Sequence, residues 1–249
     1  MSSCCLTGFE WSGTPVGKET KLANNDTYVT GTDKDVAVLL IHDIYGWTFN
    51  NTRLLADHFA KEIGATVYAP DFFGGDVIPP DTLSDPEKRA KFDVPAFVMG
   101  KNGKAHRWSE IEACAKSLKA ELGFKKVGAV GYCYGGWAVF QLGKKSNPLV
   151  DAISTAHPSL LTKEEINDVG VPAQILAPEH DPVFVPEMKA YANETIPKLN
   201  VAYDYQYFPG VAHGFAIKCN DEGSDLDKKS LERAKNAVVG WFAHHLHIE

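Results

Sequence analysis

Residues 127–139 read VGAVGYCYGGWAV, and this stretch is the most informative about the fold. Residues 127–130 have the apolar composition of a strand buried on both faces of a sheet. The strand runs into a Gly-x-Cys-x-Gly-Gly turn, and residues 137–144 then continue with helical character. A buried strand that turns sharply into a helix is typical of α/β proteins with a parallel sheet.

Cys133 lies at the centre of this turn, between Gly131 and Gly135. A strand, a glycine-flanked nucleophile and a helix form the nucleophile-elbow pattern, here with Cys in place of the more usual Ser. Because the turn is tight, bulky side chains two residues to either side of the nucleophile would clash with the crossing backbone. The N-terminus of the following helix favours a thiolate, so Cys133 is the candidate nucleophile. The alternative is a structural cysteine, since free Cys is among the most buried residue types.

Strands and helices alternate on both sides of the turn. Apolar runs predict strands at residues 36–41, 66–69, 127–130, 150–155, 173–177 and 201–208. Helical periodicity predicts helices at residues 51–63, 107–122, 137–144, 185–196 and 225–245. A hairpin over residues 18–22 and 26–31 comes first, and a Pro- and Gly-rich excursion occupies residues 72–104. The alternation predicts an α/β fold with a mostly parallel central sheet and helices on both faces.

Composition narrows the class of protein. The chain has 249 residues, of which 44% are hydrophobic and 23% charged, as in an ordinary globular protein. The formal net charge of -7 argues against nucleic acid as a partner, because phosphate binding needs clustered Lys and Arg. No apolar run reaches the length of a membrane span and no secretory signal is visible, so we expect a cytoplasmic protein. The five scattered cysteines resemble neither a disulfide framework nor a metal site.

Two polar residues follow predicted strands later in the chain. Asp181 comes just after the strand at 173–177, with Glu179 as its competitor, and His213 follows the last predicted strand. Loops at the carboxyl ends of parallel strands meet, so Cys133, Asp181 and His213 can form a nucleophile, acid and base in that chain order. Taken singly, Asp181 could instead be a helix N-cap and His213 a turn residue.

Three motifs together resemble the dienelactone hydrolase family, the carboxymethylenebutenolidases. They are IHDIYG at 41–46, GYCYGG at 131–136 and HGF at 213–215, and the resemblance covers most of the chain. It implies one α/β-hydrolase domain over residues 1–249, with the excursion 72–104 near the active site. It also implies a Cys-His-Asp triad that hydrolyses lactones or small activated esters without a metal or cofactor.

The resemblance assigns roles to further residues. The backbone N–H groups of Ile44 and Tyr134 would form an oxyanion hole. Asp43 stands where the family usually has a Glu that influences the ionisation of the nucleophile, although it could simply cap a turn. Ile217 stands where the bacterial enzymes have an Arg that binds the substrate carboxylate. Lys218 would point away from the site if its segment were extended.

An aromatic-lined substrate pocket is the remaining expectation. Its predicted members are Tyr45, Trp47, Phe72, His157 and Phe215. For His157, which follows a predicted strand, a turn residue satisfied by the backbone is the alternative. Arg89 in the excursion could supply a cation.

We therefore expect a thiol-dependent hydrolase whose partner is a small-molecule lactone or ester, with a homodimer as a further possible assembly. Two other classes of function stay open at this point. One is a lyase or isomerase that acts on a carbonyl substrate in a biosynthetic pathway, and the other is a non-catalytic α/β domain used for binding or redox sensing.

Overall fold

A computed structural model describes residues 13–83, 85–218 and 224–247 of the chain. Eight strands form one sheet in the order β1-β2-β4-β3-β5-β6-β7-β8. The strands are β1 (Lys18–Leu22), β2 (Asn25–Thr30), β3 (Val36–Ile41), β4 (Thr66–Pro70), β5 (Lys126–Tyr132), β6 (Ala152–Ala156), β7 (Ala173–His180) and β8 (Tyr203–Ala212). The first two strands form the predicted hairpin, and β2 also pairs antiparallel with β4. All other neighbouring strands are parallel, so the predicted α/β class is confirmed.

The helices connect the strands and cover both faces of the sheet. They are α1 (Asn50–Phe59), α2 (Pro86–Lys91), α3 (Val94–Met99), α4 (Lys104–Ala120), α5 (Gly135–Leu142), α6 (Lys163–Asn167), α7 (Pro186–Thr195) and α8 (Asp225–Leu246). The helix predicted at 51–63 is composite, because α1 continues into a π-helical turn over Ala60–Gly64. Strand β8 extends past its predicted end as far as Ala212, next to His213.

Two apolar clusters hold this sandwich together. On one face, side chains of α4, α5 and α7 pack on the sheet, including Ile111, Trp137 and Ala192. On the other face, α1 and α8 pack through residues such as Phe59 and Phe242. The central strand β3 is buried along its whole length, because it is covered from both sides. The carboxyl end of the sheet is thus held rigidly from two sides.

The segment 72–104 crosses the carboxyl end of the sheet. It contains a 3₁₀ turn at Pro80–Thr82 and the short helices α2 and α3, whose first turns are capped by the side chains of Asp85 and Asp93. Apolar residues of this segment, including Leu83, pack with Ile44 and Tyr45 in a third cluster. The segment therefore covers the loop that follows β3.

None of the helices within residues 13–83, 85–218 and 224–247 combines the length and the hydropathy needed to cross a bilayer.

The elbow gives the first testable prediction, on Gly135. A Cβ at Gly135 would lie 2.3 Å from the carbonyl oxygen of Ile41, so Gly135→Ala must push α5 away from β3. We expect a loss of about 1–3 kcal/mol in the free energy of unfolding, as for other overpacked sites. Urea denaturation measures it.

The matched control is Gly240→Ala in α8, where an added Cβ meets no atom within 4 Å. Alanine in an exposed helix interior should raise the free energy of unfolding by about 0.5–1 kcal/mol. Equal effects of the two substitutions would contradict the proposed backbone crossing.

Candidate active site

The Cys133 backbone is held in a strained conformation between β5 and α5. Its φ of 48° lies in the left-handed region, which is costly for a residue with a side chain. Three hydrogen bonds hold it there: the Cys133 N–H donates to Ala156 O at 3.2 Å, and Cys133 O accepts from Gly136 N–H at 3.0 Å and Ser159 N–H at 2.8 Å. The side chain is partly exposed. The elbow therefore presents the sulfur at the carboxyl end of the sheet.

Asp181 and His213 meet beside it, at the ends of β7 and β8. The Nδ1 atom of His213 lies 3.0 Å from both carboxylate oxygens of Asp181. Asp181 also accepts the N–H groups of Val183 and Phe184, at 2.8 and 2.9 Å, which fixes the carboxylate. It is not a helix N-cap, since α7 starts later, with Val185 as its cap. Both residues are almost fully buried.

The competitor Glu179 points elsewhere. Its side chain is exposed and accepts the N–H of Gly210 at 2.8 Å. Glu179 therefore stabilises the turn that leads to His213 and does not contact the imidazole.

Cys133 and His213 line the same cavity, and the two groups shift each other's protonation. Burial raises the pKa of the Cys133 thiol, but the positive charge and the hydrogen bond of His213, helped by the charge of Lys218, bring that pKa below its ordinary value. Burial lowers the pKa of His213, but the thiolate and Asp181 raise it to about 10. The arrangement favours a thiolate–imidazolium pair with Asp181 behind it.

Ser159 is a neighbour of the sulfur that the sequence did not indicate. Its Oγ lies 3.3 Å from Cys133 Sγ, and its backbone binds the carbonyl of Cys133. The turn that carries it follows β6 and has positive φ at His157 and Leu160. This turn packs closely against the elbow, since a Cβ on Gly136 would lie only 2.4 Å from Pro158. A hydroxyl in this position can donate to the thiolate.

The predicted oxyanion donors Ile44 and Tyr134 both line the cavity that contains Cys133. Tyr134 directly follows the nucleophile candidate, and its hydroxyl donates to Asn102 O at 2.6 Å, which ties the elbow to the end of segment 72–104. Ile44 follows β3 and is buried under the same segment. The structure thus brings the two residues to the same cavity wall.

Asp43 is fully buried and performs the turn-capping role that the sequence left open. Its Oδ1 accepts the N–H of Tyr45 at 2.9 Å, and its backbone oxygen accepts the N–H of Gly46 at 3.2 Å. Its Oδ2 lies 3.9 Å from the Nζ of Lys218. Among the described residues no hydrogen bond joins Asp43 to Cys133, although its charge opposes thiolate formation.

Lys218 differs from the expectation for an extended segment. The N–H groups of Ile217 and Lys218 both donate to Gly214 O, at 3.1 and 2.8 Å, so the chain after His213 is a tight turn. The turn directs Lys218 into the site, where it lines the cavity. Ile217 is instead fully buried in the apolar cluster on the α1 and α8 face. Lys218 therefore places a positive charge in the site, where an extended segment would have directed it away.

A cavity of about 210 Å³ opens over Cys133, somewhat smaller than sites for drug-sized ligands. Its surface is almost entirely apolar. Six apolar side chains of the lining come from segment 72–104 and the loops after β6 and β7: Leu83, Val94, Val98, Met99, Leu160 and Val183.

None of the five residues predicted to line the pocket is among the described residues that line this cavity. Tyr45 packs beneath Lys218, whose Nζ lies 4.7 Å from its ring centre. The guanidinium carbon of Arg53 lies 5.0 Å from the ring centre of Trp47. Phe72 is fully buried, and its backbone N–H donates to Nε2 of His42. The aromatic rings pack inward because they have the largest apolar area to bury.

His157 and Phe215, the other two, support His213 from behind. The His157 ring contacts that of His213 edge-on at 4.8 Å and that of Phe215 at 5.7 Å. Burial, with the positive charges of His213 and Lys218, keeps the pKa of His157 well below its ordinary value, so its ring is neutral. Neither ring nitrogen has a hydrogen-bond partner among the described residues.

In the part of the chain that the structure describes, no group of three or more His, Cys, Asp or Glu side chains has the arrangement needed to hold a metal ion.

Comparison with known proteins identifies the family. The sequence profile of the Dienelactone hydrolase family matches residues 26–246. The chain belongs to the dienelactone hydrolase family. The hydrolase tropI of Talaromyces stipitatus is 31% identical over 98% of this chain and 96% of its own length. The carboxymethylenebutenolidase homolog of Mus musculus is 28% identical over 95% of this chain and 94% of its own.

A solved structure shows the same fold. Carboxyl esterase 2 from the mycorrhizal fungus Tuber melanosporum superposes with a TM-score of 0.66 at 15% identity, covering 96% of this chain and 91% of that one. As a member of the dienelactone hydrolase family, the chain is an ester or lactone hydrolase.

The thiolate–imidazolium pair leads to a prediction about His213. Replacing His213 with Ala removes the cation that lowers the pKa of Cys133, so that pKa must rise and the thiolate fraction at pH 7 must fall. We expect alkylation of Cys133 by iodoacetamide to slow by about tenfold or more, one pKa unit being a tenfold change in thiolate. Mass spectrometry of the Cys133 peptide separates it from the other cysteines. His58→Ala, at an exposed histidine, should leave the rate unchanged.

Ser159 gives a second prediction with the same readout. In Ser159→Ala the thiolate loses one hydrogen-bond donor, so we expect the pKa of Cys133 to rise and alkylation at pH 7 to slow by about three- to tenfold. The pH dependence of alkylation measures it. Ser109→Ala, on the exposed face of α4, is the matched control. An unchanged profile in Ser159→Ala would mean that the hydroxyl accepts from a neutral thiol instead.

Proposed function

We propose that this dienelactone hydrolase family member cleaves lactones or small activated esters with Cys133 as its nucleophile, His213 as acid and base, and Asp181 as the orienting carboxylate. The observation that carries the proposal is the buried Asp181–His213 pair, whose imidazole lines the same cavity as Cys133. The cavity is apolar, so an acyl group can be held there against the sulfur. Each of the three residues comes from the end of a different parallel strand, as the sequence predicts.

In the first half of the reaction the thiolate of Cys133 attacks the carbonyl carbon. A tetrahedral intermediate forms, and its negative oxygen accepts hydrogen bonds from the backbone N–H groups of Ile44 and Tyr134. The C–O bond to the leaving group then breaks, and the His213 imidazolium gives its proton to the departing alkoxide. The acyl group stays on Cys133 as a thioester. In a lactone the leaving alcohol stays attached to the acyl chain.

In the second half the neutral imidazole of His213 takes a proton from water. The resulting hydroxide attacks the thioester, and collapse of the intermediate breaks the C–S bond and restores the thiolate. Asp181 holds Nδ1 of His213 throughout, so that Nε2 serves the reacting atoms. The products are a carboxylic acid and an alcohol, or a hydroxy acid from a lactone.

Family membership favours hydrolysis over the two other classes of function that the sequence left open. A lyase or isomerase would return a product without the elements of water, and a binding domain would not need the buried Asp181–His213 pair. We propose the cytoplasm as the location. A homodimer stays a prediction of the sequence.

The proposal predicts the effect of removing the thiol. Cys133→Ala should lower kcat/KM for para-nitrophenyl butyrate by about a thousandfold or more, as removal of a nucleophile does in other triads. Release of para-nitrophenolate measures it, and circular dichroism checks that the fold survives.

Cys114→Ala is the matched control. Cys114 lies on the buried face of α4, where burial raises its thiol pKa to about 12, so it is unreactive and its loss should leave kcat/KM nearly unchanged. If Cys133→Ala retains wild-type turnover, the sulfur is not the nucleophile.

A further inference from the structure

Lys218 takes no part in the steps of the hydrolytic cycle, although its charge helps to lower the pKa of Cys133. It is 8% exposed, and its aliphatic stem packs against Gly214, so its position is fixed by the turn after His213. A buried ammonium is costly unless an opposite charge or other favourable contacts compensate it. The groups that compensate the charge of Lys218 determine whether the cavity can also bind an anionic substrate.

Two groups contact the ammonium from inside the protein. The Oδ2 atom of Asp43 lies 3.9 Å from Nζ, and the face of Tyr45 lies 4.7 Å away. Asp43 is fully buried, and its Oδ2 has no hydrogen-bond donor among the described residues, so Lys218 is the cation placed to compensate it. Burial raises the pKa of Asp43, and Lys218 is the largest influence that lowers it. The two charges form an internal pair.

Beyond Lys218, the described lining of the cavity offers a substrate carboxylate little charge compensation. Within residues 13–83, 85–218 and 224–247, Lys218 and His213 are the only side chains of the lining that can carry positive charge, and the thiolate of Cys133 faces His213. Arg89, the cation that the sequence suggested, lies on α2 and is not part of the lining. The net charge of -7 also gives the protein no long-range attraction for anions. An anionic acyl group would lose its hydration against aliphatic side chains.

We infer that Lys218 serves Asp43 and not the substrate, and that the cavity selects esters or lactones whose acyl part is uncharged and aliphatic. The inference rests on the proposed function and names its substrate class. Lys218 is accordingly a positioning residue that acts through Asp43 and through the electrostatic environment of Cys133, and it does not touch the substrate.

Two esters of matched length test this in the full-length protein: para-nitrophenyl hexanoate and the mono-para-nitrophenyl ester of adipic acid, which adds only a terminal carboxylate. We expect kcat/KM in the wild type to favour the neutral ester by about tenfold or more. Lys218→Met should lower both values by a similar factor, so that their ratio changes by less than about threefold. Lys125→Met, at an exposed lysine at the opposite end of β5, should change neither value.

Asp43→Asn tests the same inference in the other direction. It leaves Lys218 without its carboxylate, so the ratio should shift towards the adipate ester by about tenfold. The double variant Asp43→Asn with Lys218→Met removes both charges and should return the ratio to that of the wild type, which guards against a folding defect in either single variant.

The opposite result would overturn the inference. If the wild type prefers the adipate ester, and Lys218→Met loses that preference while keeping its activity on the hexanoate, then Lys218 binds a substrate carboxylate. That outcome leaves the proposed function intact. Failure of the wild type to turn over either ester through Cys133 would instead contradict the proposed function itself.

Discussion

The crossing of backbones at the Cys133 elbow is the constraint on which the site depends. A Cβ on Gly131 would meet Gly135 O at 2.3 Å, and one on Gly135 would meet Ile41 O at the same distance. The strand β3, the strand β5 and the helix α5 are therefore locked together at a single point. Because Cys133 occupies that point with a positive φ, its sulfur has little freedom to move away from the loops that follow β3, β6 and β7.

This geometry places buried groups of opposite charge next to one another. The sulfur, the imidazole of His213 and the carboxylate of Asp181 form one series, and Lys218 with Asp43 forms a second. In a poorly hydrated site each charge strongly affects the protonation of the next. The same local structure that fixes the sulfur therefore also sets its ionisation, so that fold and reactivity are physically coupled.

The fold and the three central residues could be predicted because their signals are local. The elbow is a short strand-glycine-helix pattern, and Asp181 and His213 each follow a strand directly. The residues that line the cavity could not be predicted from their closeness in sequence to the motifs. Tyr45 and Phe72 pack inward, whereas the lining comes from a segment whose placement depends on contacts distant in sequence.

The positions of two further site residues, Lys218 and Ser159, depend on backbone conformations that residue patterns do not show. Lys218 enters the site only because two hydrogen bonds to Gly214 O make the chain after His213 turn. Ser159 reaches the sulfur because His157 and Leu160 adopt positive φ. Neither is a glycine, so residue type did not indicate the conformation.

The central claim is that Cys133 forms a covalent acyl intermediate, and trapping that intermediate tests it most directly. The protein would be mixed with an excess of a slowly released para-nitrophenyl ester, quenched in acid within the first turnover, digested and analysed by mass spectrometry. We predict that the peptide containing Cys133 gains the mass of the acyl group, and that neutral hydroxylamine removes it, as expected for a thioester. Turnover without any adduct, or an adduct on Ser159 with Cys133 unmodified, would contradict the account.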